Sequence, residues 1–295
     1  MKYSAKDIEN IIYRYLPPEE GYQQDVIKAM NYAYKAGGKR LRPMMMLICY
    51  RMFAGDEKDE VLERFMSAIE MIHTYSLIHD DLPALDNDEL RRGMPTVHKA
   101  FGEDIAILAG DGLLNYAYEL AASSFSLRPG DVRIEKAMMI LATKPGIYGM
   151  IGGQTLDVIM SGKEVDEKQL EYIYVNKTSA LIECAMMIGA VLGGADDKSL
   201  QDICMVARDV GMAFQVQDDI LDIVGDEAKL GKPVLSDEKN DKYTYATIHG
   251  LKKAREYVAD TSKHACNILD AIPGLVSEYK DELGELISML IDRDR

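Results

Sequence analysis

Basic residues are in short supply in this chain. Its 34 lysines and arginines face 49 aspartates and glutamates, a net charge of −15 over 295 residues. Nucleic-acid binding needs a basic surface, so this balance argues against such a partner. It does not argue against a small phosphorylated ligand, which needs only a local basic pocket. No uncharged run approaches the ~20 apolar residues of a membrane span. No N-terminal stretch has the basic, apolar, small-residue order of a signal peptide. The four cysteines (Cys49, Cys184, Cys204, Cys266) are scattered, without metal-ligand spacing. They read as free thiols in a reducing compartment, and the expected location is cytoplasmic. Proline occurs nine times, and nowhere between residues 146 and 232. Alternating strand patterns are scarce.

What the chain does have is helical periodicity. Phe65, Ile69, Ile72 and Ser76 are spaced four, three and four apart, and Leu170, Ile173, Leu181 and Ile188 continue a similar stripe. Asp166 with Gln169 predicts a capping box. Asp196-Asp197 after Gly193-Gly194 predicts another helix start. Breaks fall at Pro17-Pro18, Gly55, Gly93, Pro129-Gly130 and Pro273-Gly274. With no linker and no fixed-period repeat, the expectation is all-α: one domain, residues 1–295, of about ten to thirteen helices.

Two acidic motifs stand out 138 positions apart: DDLPALD, with Asp80, Asp81 and Asp86, and DDILD, with Asp218, Asp219 and Asp222. Both lie in apolar sequence, where like charges repel and desolvation costs several kcal/mol unless compensated. Asp218 and Asp222 share one helix face, and Asp219 points about a quarter-turn away. Pro83 predicts that the preceding helix ends near Asp80, where terminal carbonyls add negative potential. Magnesium would compensate all of this, since it favours oxygen ligands and keeps substrate phosphates in its shell. An EF-hand reading of Asp86-Asn87-Asp88 fails for want of a glycine at the sixth loop position. Chance occurrence is the bland alternative, and two motifs in apolar helical context weigh against it.

Basic groups flank these motifs. GGKRLRP brings Lys39, Arg40 and Arg42 together after two glycines. Arg91 and Arg92 follow the first acidic motif, and Lys177, Thr178, Gln215, Lys232 and Lys242 add phosphate-capable donors. Carboxylate, metal, phosphate and guanidinium in that order suit a diphosphate ester.

At this point the chain resembles a known family. GGKRLRP, HTYSLIHDDLPALDNDELRRG, GGQTLDV, KTSALI, FQVQDDILD and LGKPVLSDEKNDKYTY occur in the order seen in trans-prenyltransferases, the isoprenyl diphosphate synthases. The resemblance implies the isoprenoid synthase fold, a helical bundle around a central cavity, and a homodimer. It implies metal binding by Asp80, Asp81, Asp86, Asp218, Asp219 and Asp222, with three magnesium ions as cofactor and manganese as an alternative. It assigns Lys39, Arg42, His73 and Arg92 to isopentenyl diphosphate. It assigns Arg91, Lys177, Thr178, Gln215, Lys232 and Lys242 to the allylic diphosphate. Of these, Lys177, Thr178 and Gln215 sit closest to the chemistry: ionisation, condensation, then elimination, with released diphosphate taking the proton. Pro233 and Ala246 depart from the family pattern, which leaves that loop's contacts open.

Tyr75 and Ser76 precede Asp80 by five and four residues, about 7.5 and 6 Å at helical rise. The resemblance associates a bulky residue here, with the Pro83-Ala84 insertion, with bacterial-type synthases of the C15 farnesyl product. A C20 geranylgeranyl product is the alternative, and in a bland reading Tyr75 is only a core residue. A class I terpene cyclase would not need GGKRLRP, and a non-catalytic subunit of a heteromeric synthase often lacks one acidic motif.

Overall fold

The structure, a computed structural model, describes residues 2–224 and 243–291. These begin with α1 (Ala5–Ile12), a 3-10 turn at Tyr13–Tyr15, α2 (Gln24–Lys35), α3 (Leu41–Ala54) and α4 (Glu60–Asp80). A short antiparallel hairpin, β1 (Leu90–Arg91) with β2 (Met94–Pro95), follows. Next come α5 (Val97–Phe101), α6 (Glu103–Ala122), α7 (Ser124–Leu127), α8 (Val132–Thr143) and α9 (Met150–Met160). Helix α10 (Glu167–Ile173) runs through a π-helical segment, Tyr174–Ser179, into α11 (Ala180–Gly193). The last are α12 (Asp197–Val224), α13 (Tyr245–His249), α14 (Leu251–Ala271) and α15 (Ser277–Ile291). The all-α expectation holds.

The centre is made by helices that are apolar all round, as full burial requires. In α3 every residue from Pro43 to Tyr50 is buried, and α11 is buried from Ala180 to Leu192 except at Met187. These two helices pack face to face, flanked by α4, α8, α12 and α15. Phe65, Ile69 and Ile72 are fully buried, as their spacing predicts, while Ser76 is half-buried. A second apolar cluster joins α10, α12, α13 and α14 through Ile173, Val216, Ala254 and Val258. The continuous helix Glu167–Gly193 is long and apolar enough to cross a membrane, but most of it is buried inside the protein.

Local signals are realised at the helix starts. Asp166 and Gln169 form the reciprocal capping box, and Asp196 accepts from the Ser199 amide at 2.7 Å. The Leu170-to-Ile188 stripe differs in one respect. Its register is shifted by the π-helical segment, which adds a residue to the turn that carries Lys177 and Thr178.

Close approach of α3 to α11 depends on Gly189, where a Cβ would lie 2.2 Å from the Met46 carbonyl oxygen. Backbone cannot swing aside as a side chain can, so the helices would have to separate. Gly189→Ala is therefore expected to destabilise the protein by about 2 kcal/mol despite alanine's better helix propensity. A thermal midpoint equal to or above the parent's would show that the interface tolerates the added methyl.

Candidate active site

Helix α4 ends where Pro83 predicts, at Asp80, with Asp81 as its C-cap. The loop then folds back, and the Asp86 amide donates to the Asp80 carbonyl at 2.9 Å. Asp80 is partly buried and accepts from Gln154 Nε2 at 2.8 Å. Burial pushes its carboxyl up to about 6, with Lys177 pulling the other way and Asp86 adding to the rise. Asp81 has a different fate. It is almost fully buried and gripped by Arg91 through Nε at 2.7 and 2.9 Å and Nη2 at 2.5 Å. Burial raises this carboxyl too, against the pull of Arg91.

The hairpin turn is Arg92-Gly93, with φ of 54° and 77°. Two-residue hairpins favour positive φ at both positions, but asparagine or glycine usually fills the first. An arginine there costs about 1–2 kcal/mol. It points back to the glycine-rich loop: Arg92 Nη1 donates to the Gly37 carbonyl, and a Cβ on Gly38 would lie 2.7 Å from its guanidinium carbon. GGKRLRP and the hairpin thus meet in one basic region, in which Arg42 and His73 line the large cavity and Arg91 and Arg92 line a small separate pocket with Asp81. Lys39 is exposed on its loop, and Arg42 Nε is buried without a hydrogen-bond partner. Burial pulls the Arg42 guanidinium down, Glu70 opposes, and Arg92 adds to the pull. Burial, then the charges of Arg42 and Arg92, hold the His73 imidazole well below its ordinary range. Arg40, grouped in sequence with Lys39 and Arg42 as local positive charge, is 2% exposed and bound to Glu70 and Glu9.

The π-helical segment faces the second acidic motif. Thr178 Oγ1 donates to Gln215 Oε1 at 2.6 Å, and Gln215 Nε2 donates to Asp219 Oδ1 at 3.2 Å. Asp219 is buried and also accepts from the Tyr174 hydroxyl at 2.5 Å and the Tyr245 amide at 3.2 Å. Asp222 is buried and Asp218 half-buried. Lys177 Nζ donates to Asp157 Oδ2 at 2.5 Å. Lys232 and Lys242 lie outside the described residues.

A cavity of about 630 Å³ joins these groups. Its polar lining includes Arg42, His73, Asp80, Gln154, Lys177 and Thr178, and its apolar lining includes Leu114, Met150, Val158 and Leu181. Tyr75 and Ser76 line it as well, one turn or more down α4 from Asp80. A smaller pocket contains Gln215 and Asp219 and shares Lys177 and Thr178 with the first. The structure therefore brings Asp80 of the first acidic motif, Arg42 and His73 of the basic set, and Lys177 and Thr178 of the π-helical segment to one cavity; Asp219 of the second motif lines the adjoining pocket, and Asp81 and Asp86 do not line the cavity.

Gln154 and Asp157 are the functional candidates that sequence reasoning left unassigned. Both lie in GGQTLDV, one helical turn apart. Gly153 sets α9 against the π-helical segment, where a Cβ would lie 2.2 Å from the Lys177 amide nitrogen. Tyr174 was hidden as well, because it sits in a stripe that reads as core.

The donor set suits a hard divalent cation that shares its shell with a diphosphate. Among the described residues, no three acidic, histidine or cysteine side chains converge to hold a metal alone. Magnesium takes only one or two carboxylates where phosphates supply the rest. The partly buried Asp80, with no cation bonded to it, and the orphaned Gln154 Oε1 fit that arrangement.

Residues 23–271 match the family model for polyprenyl synthetase. Farnesyl diphosphate synthase of Geobacillus stearothermophilus is 46% identical over 253 residues, 85% of this chain and 84% of that one. A chloroplastic heterodimeric geranylgeranyl pyrophosphate synthase large subunit 1 of Arabidopsis thaliana is 43% identical over 242 residues, 81% of this chain and 65% of that one. The solved structure of Helicobacter pylori geranyltransferase complexed with magnesium and isoprenyl diphosphate superposes with a TM-score of 0.87 at 30% identity, covering 98% of this chain and 95% of that one. The chain belongs to the polyprenyl synthetase family, whose chemistry is trans-prenyl transfer.

Proposed function

We propose that this protein condenses isopentenyl diphosphate with dimethylallyl and then geranyl diphosphate to make all-trans farnesyl diphosphate. The observation that carries the reading is the cavity in which Asp80, Lys177, Thr178, Arg42 and His73 share walls with an apolar lining that includes Tyr75. The reaction breaks the allylic C1–O bond, joins C4 of isopentenyl diphosphate to C1, and transfers a C2 proton to the departed diphosphate. Asp80, Asp86, Asp218 and Asp222 would hold magnesium, which when bound supplies Lewis-acid stabilisation of the leaving diphosphate. Asp81 and Asp219 serve mainly to fix the motifs in place through Arg91 and Tyr174. Lys39, Arg42, His73 and Arg92 hold isopentenyl diphosphate. Lys177 and Arg91 face the allylic diphosphate, and the Thr178–Gln215 pair aims its dipoles at the developing allylic cation. The apolar walls exclude water, which would otherwise capture that cation.

Product length rests on Tyr75. It is 6% exposed, lines the cavity, and its ring meets His79 edge-on at 5.8 Å. Burial pushes its hydroxyl up to about 12, so it stays a neutral wall. Exposed apolar side chains at Ile107 and Leu108 on α6, and at Ile147, Tyr148 and Ile159 beside and on α9, support a homodimer, and the four free cysteines are in keeping with a reducing compartment such as the cytoplasm.

Incubation with magnesium, isopentenyl diphosphate and each of the C5, C10 and C15 allylic diphosphates is expected to yield C15 from the first two and no extension of the third. A predominantly C20 product from all three would overturn the farnesyl assignment. Tyr75→Ala is expected to lengthen the product, and an unchanged C15 profile would remove Tyr75 from that role.

Asp80→Asn is expected to separate activity from stability. Turnover should fall by about a hundredfold or more, the size typical of a lost charge-stabilising group. The folded carboxyl lies near 6 against 3.8 for an unperturbed one. A raised carboxyl contributes stability only when protonated, and loses it as pH rises through the folded value. Above pH 6 the cost is about 3 kcal/mol. In EDTA at pH 7.5 the amide variant should melt above the parent, with the gap closing towards pH 4. A parent that melts higher at pH 7.5 would refute this.

A further inference from the structure

Arg40 lies between two residues of the basic region yet offers a ligand there nothing directly. Its side chain is fully buried and its backbone is left-handed, with φ of 50°. Nη1 donates to Glu70 at 2.7 Å. Nη2 donates to the Tyr34 carbonyl at 2.7 Å, the Tyr13 hydroxyl at 2.8 Å and Glu9 at 3.3 Å, and Nε reaches Glu9 at 3.4 Å. The rings of Tyr13 and Tyr34 flank it at 5.6 and 5.8 Å. Every nitrogen that could turn towards a ligand is committed.

The carboxylate it engages most closely is the important one. Glu70 is 2% exposed, on α4 one turn before His73. Its charge acts on both Arg42 and Arg92. An unengaged Glu70 would be the natural partner of the orphaned Arg42 Nε and would compete with any incoming anion. Arg40 removes that competitor. Its strained backbone also hands the chain from the glycine loop into α3, which sets Lys39 and Arg42 on either side of it.

We infer that Arg40 is a positioning residue for the non-allylic diphosphate: it sequesters Glu70 so that Arg42 and Arg92 stay available to the ligand. The N-terminal helix takes part through Glu9, with Tyr13 just beyond its end. Both lie outside the segment, 23–271, that matches the family model. The terminal helix thus tunes the affinity of one substrate of two. The inference rests on the proposed role of Lys39, Arg42, His73 and Arg92 in holding isopentenyl diphosphate.

The test is calorimetric titration of isopentenyl diphosphate alone, in EDTA, into the full chain and its variants, followed by KM for each substrate. Binding without metal or turnover separates this inference from the farnesyl reading, which the product assay decides. Arg40→Met is expected to weaken isopentenyl diphosphate by about tenfold or more, leaving the geranyl diphosphate KM within about twofold. Adding Glu70→Gln should restore the affinity to within about threefold, because the neutralised pair no longer competes. Unchanged affinity in Arg40→Met, equal losses for both substrates, or a folded double variant with no recovery would each overturn the inference. Should Arg40→Met fail to fold, Glu9→Gln with Tyr13→Phe loosens the same clamp from outside. About threefold weaker isopentenyl diphosphate binding supports the inference, and parental affinity overturns it.

Discussion

A carboxylate taken out of water costs several kcal/mol unless a cation or hydrogen-bond donor meets it. Much of this structure follows from how that demand is met inside helices. Glu70 is met by Arg40, Asp81 by Arg91, and Glu183 by Lys144 and Arg208, all with the acid nearly inaccessible. Asp219 accepts from neutral donors among the described residues: Tyr174, Gln215 and the Tyr245 amide. Each pairing ties separate elements together at a defined point, helix to helix or, for Asp81 and Arg91, helix end to hairpin. Each also gives one buried acid a partner from the protein itself. Asp80 stands apart, because it is partly buried with only the neutral Gln154 amide bonded to it. Its raised carboxyl marks an acid whose burial the nearby charges of Lys177 and Arg91 do not offset.

The two acidic motifs therefore divide their labour internally. In the first, Asp81 pins the hairpin while Asp80 lines the cavity. In the second, Asp219 pins the π-helical segment and the start of α13. Helix α9 connects them, since Gln154 reaches Asp80 and, one turn on, Asp157 reaches Lys177. A shift of α9 would thus disturb both walls at once. Its glycine contact with the π-helical segment allows no separation without breaking that link.

The fold was largely legible because period-3.6 patterns and breakers are local signals. The capping box at Asp166, the stop at Pro83 and the stripe through Phe65 and Ile72 all appear in the structure. The π-helical insertion was not legible, because adding one residue to a turn leaves an apolar stripe nearly intact. Within the site, Asp80, Arg42 and Tyr75 were recognisable by type and spacing, and the structure brings them to one cavity. The resemblance separates Arg42 from Arg40, but the physical reason for that division was not legible. Two arginines separated by one residue look equivalent in sequence. What separates them is the left-handed backbone at Arg40 and a glutamate thirty positions away. Gln154 was missed for a related reason: a neutral amide in a helix carries no signature until its partner is known.

An acidic protein can still capture a doubly charged diphosphate, because binding responds to the local field and not to the net charge. Arg42, Arg92 and the neutral His73 lie close together, with Glu70 neutralised behind them. Burial and the neighbouring arginines keep His73 uncharged, so it can offer a hydrogen bond without adding repulsion to the empty pocket. A diphosphate reverses the sign of that field. In the proposed role the orphaned Arg42 Nε would then find an acceptor. Around Arg42 and His73 the desolvation that disfavours an empty site would strengthen a filled one, since opposite charges attract more where water screens them less, whereas Lys39 and Arg92 remain exposed. In the proposed role, selectivity for phosphate esters over carboxylates would follow from the number of oxygens needed to satisfy donors arriving from four separate elements: the glycine loop, α3, α4 and the hairpin turn.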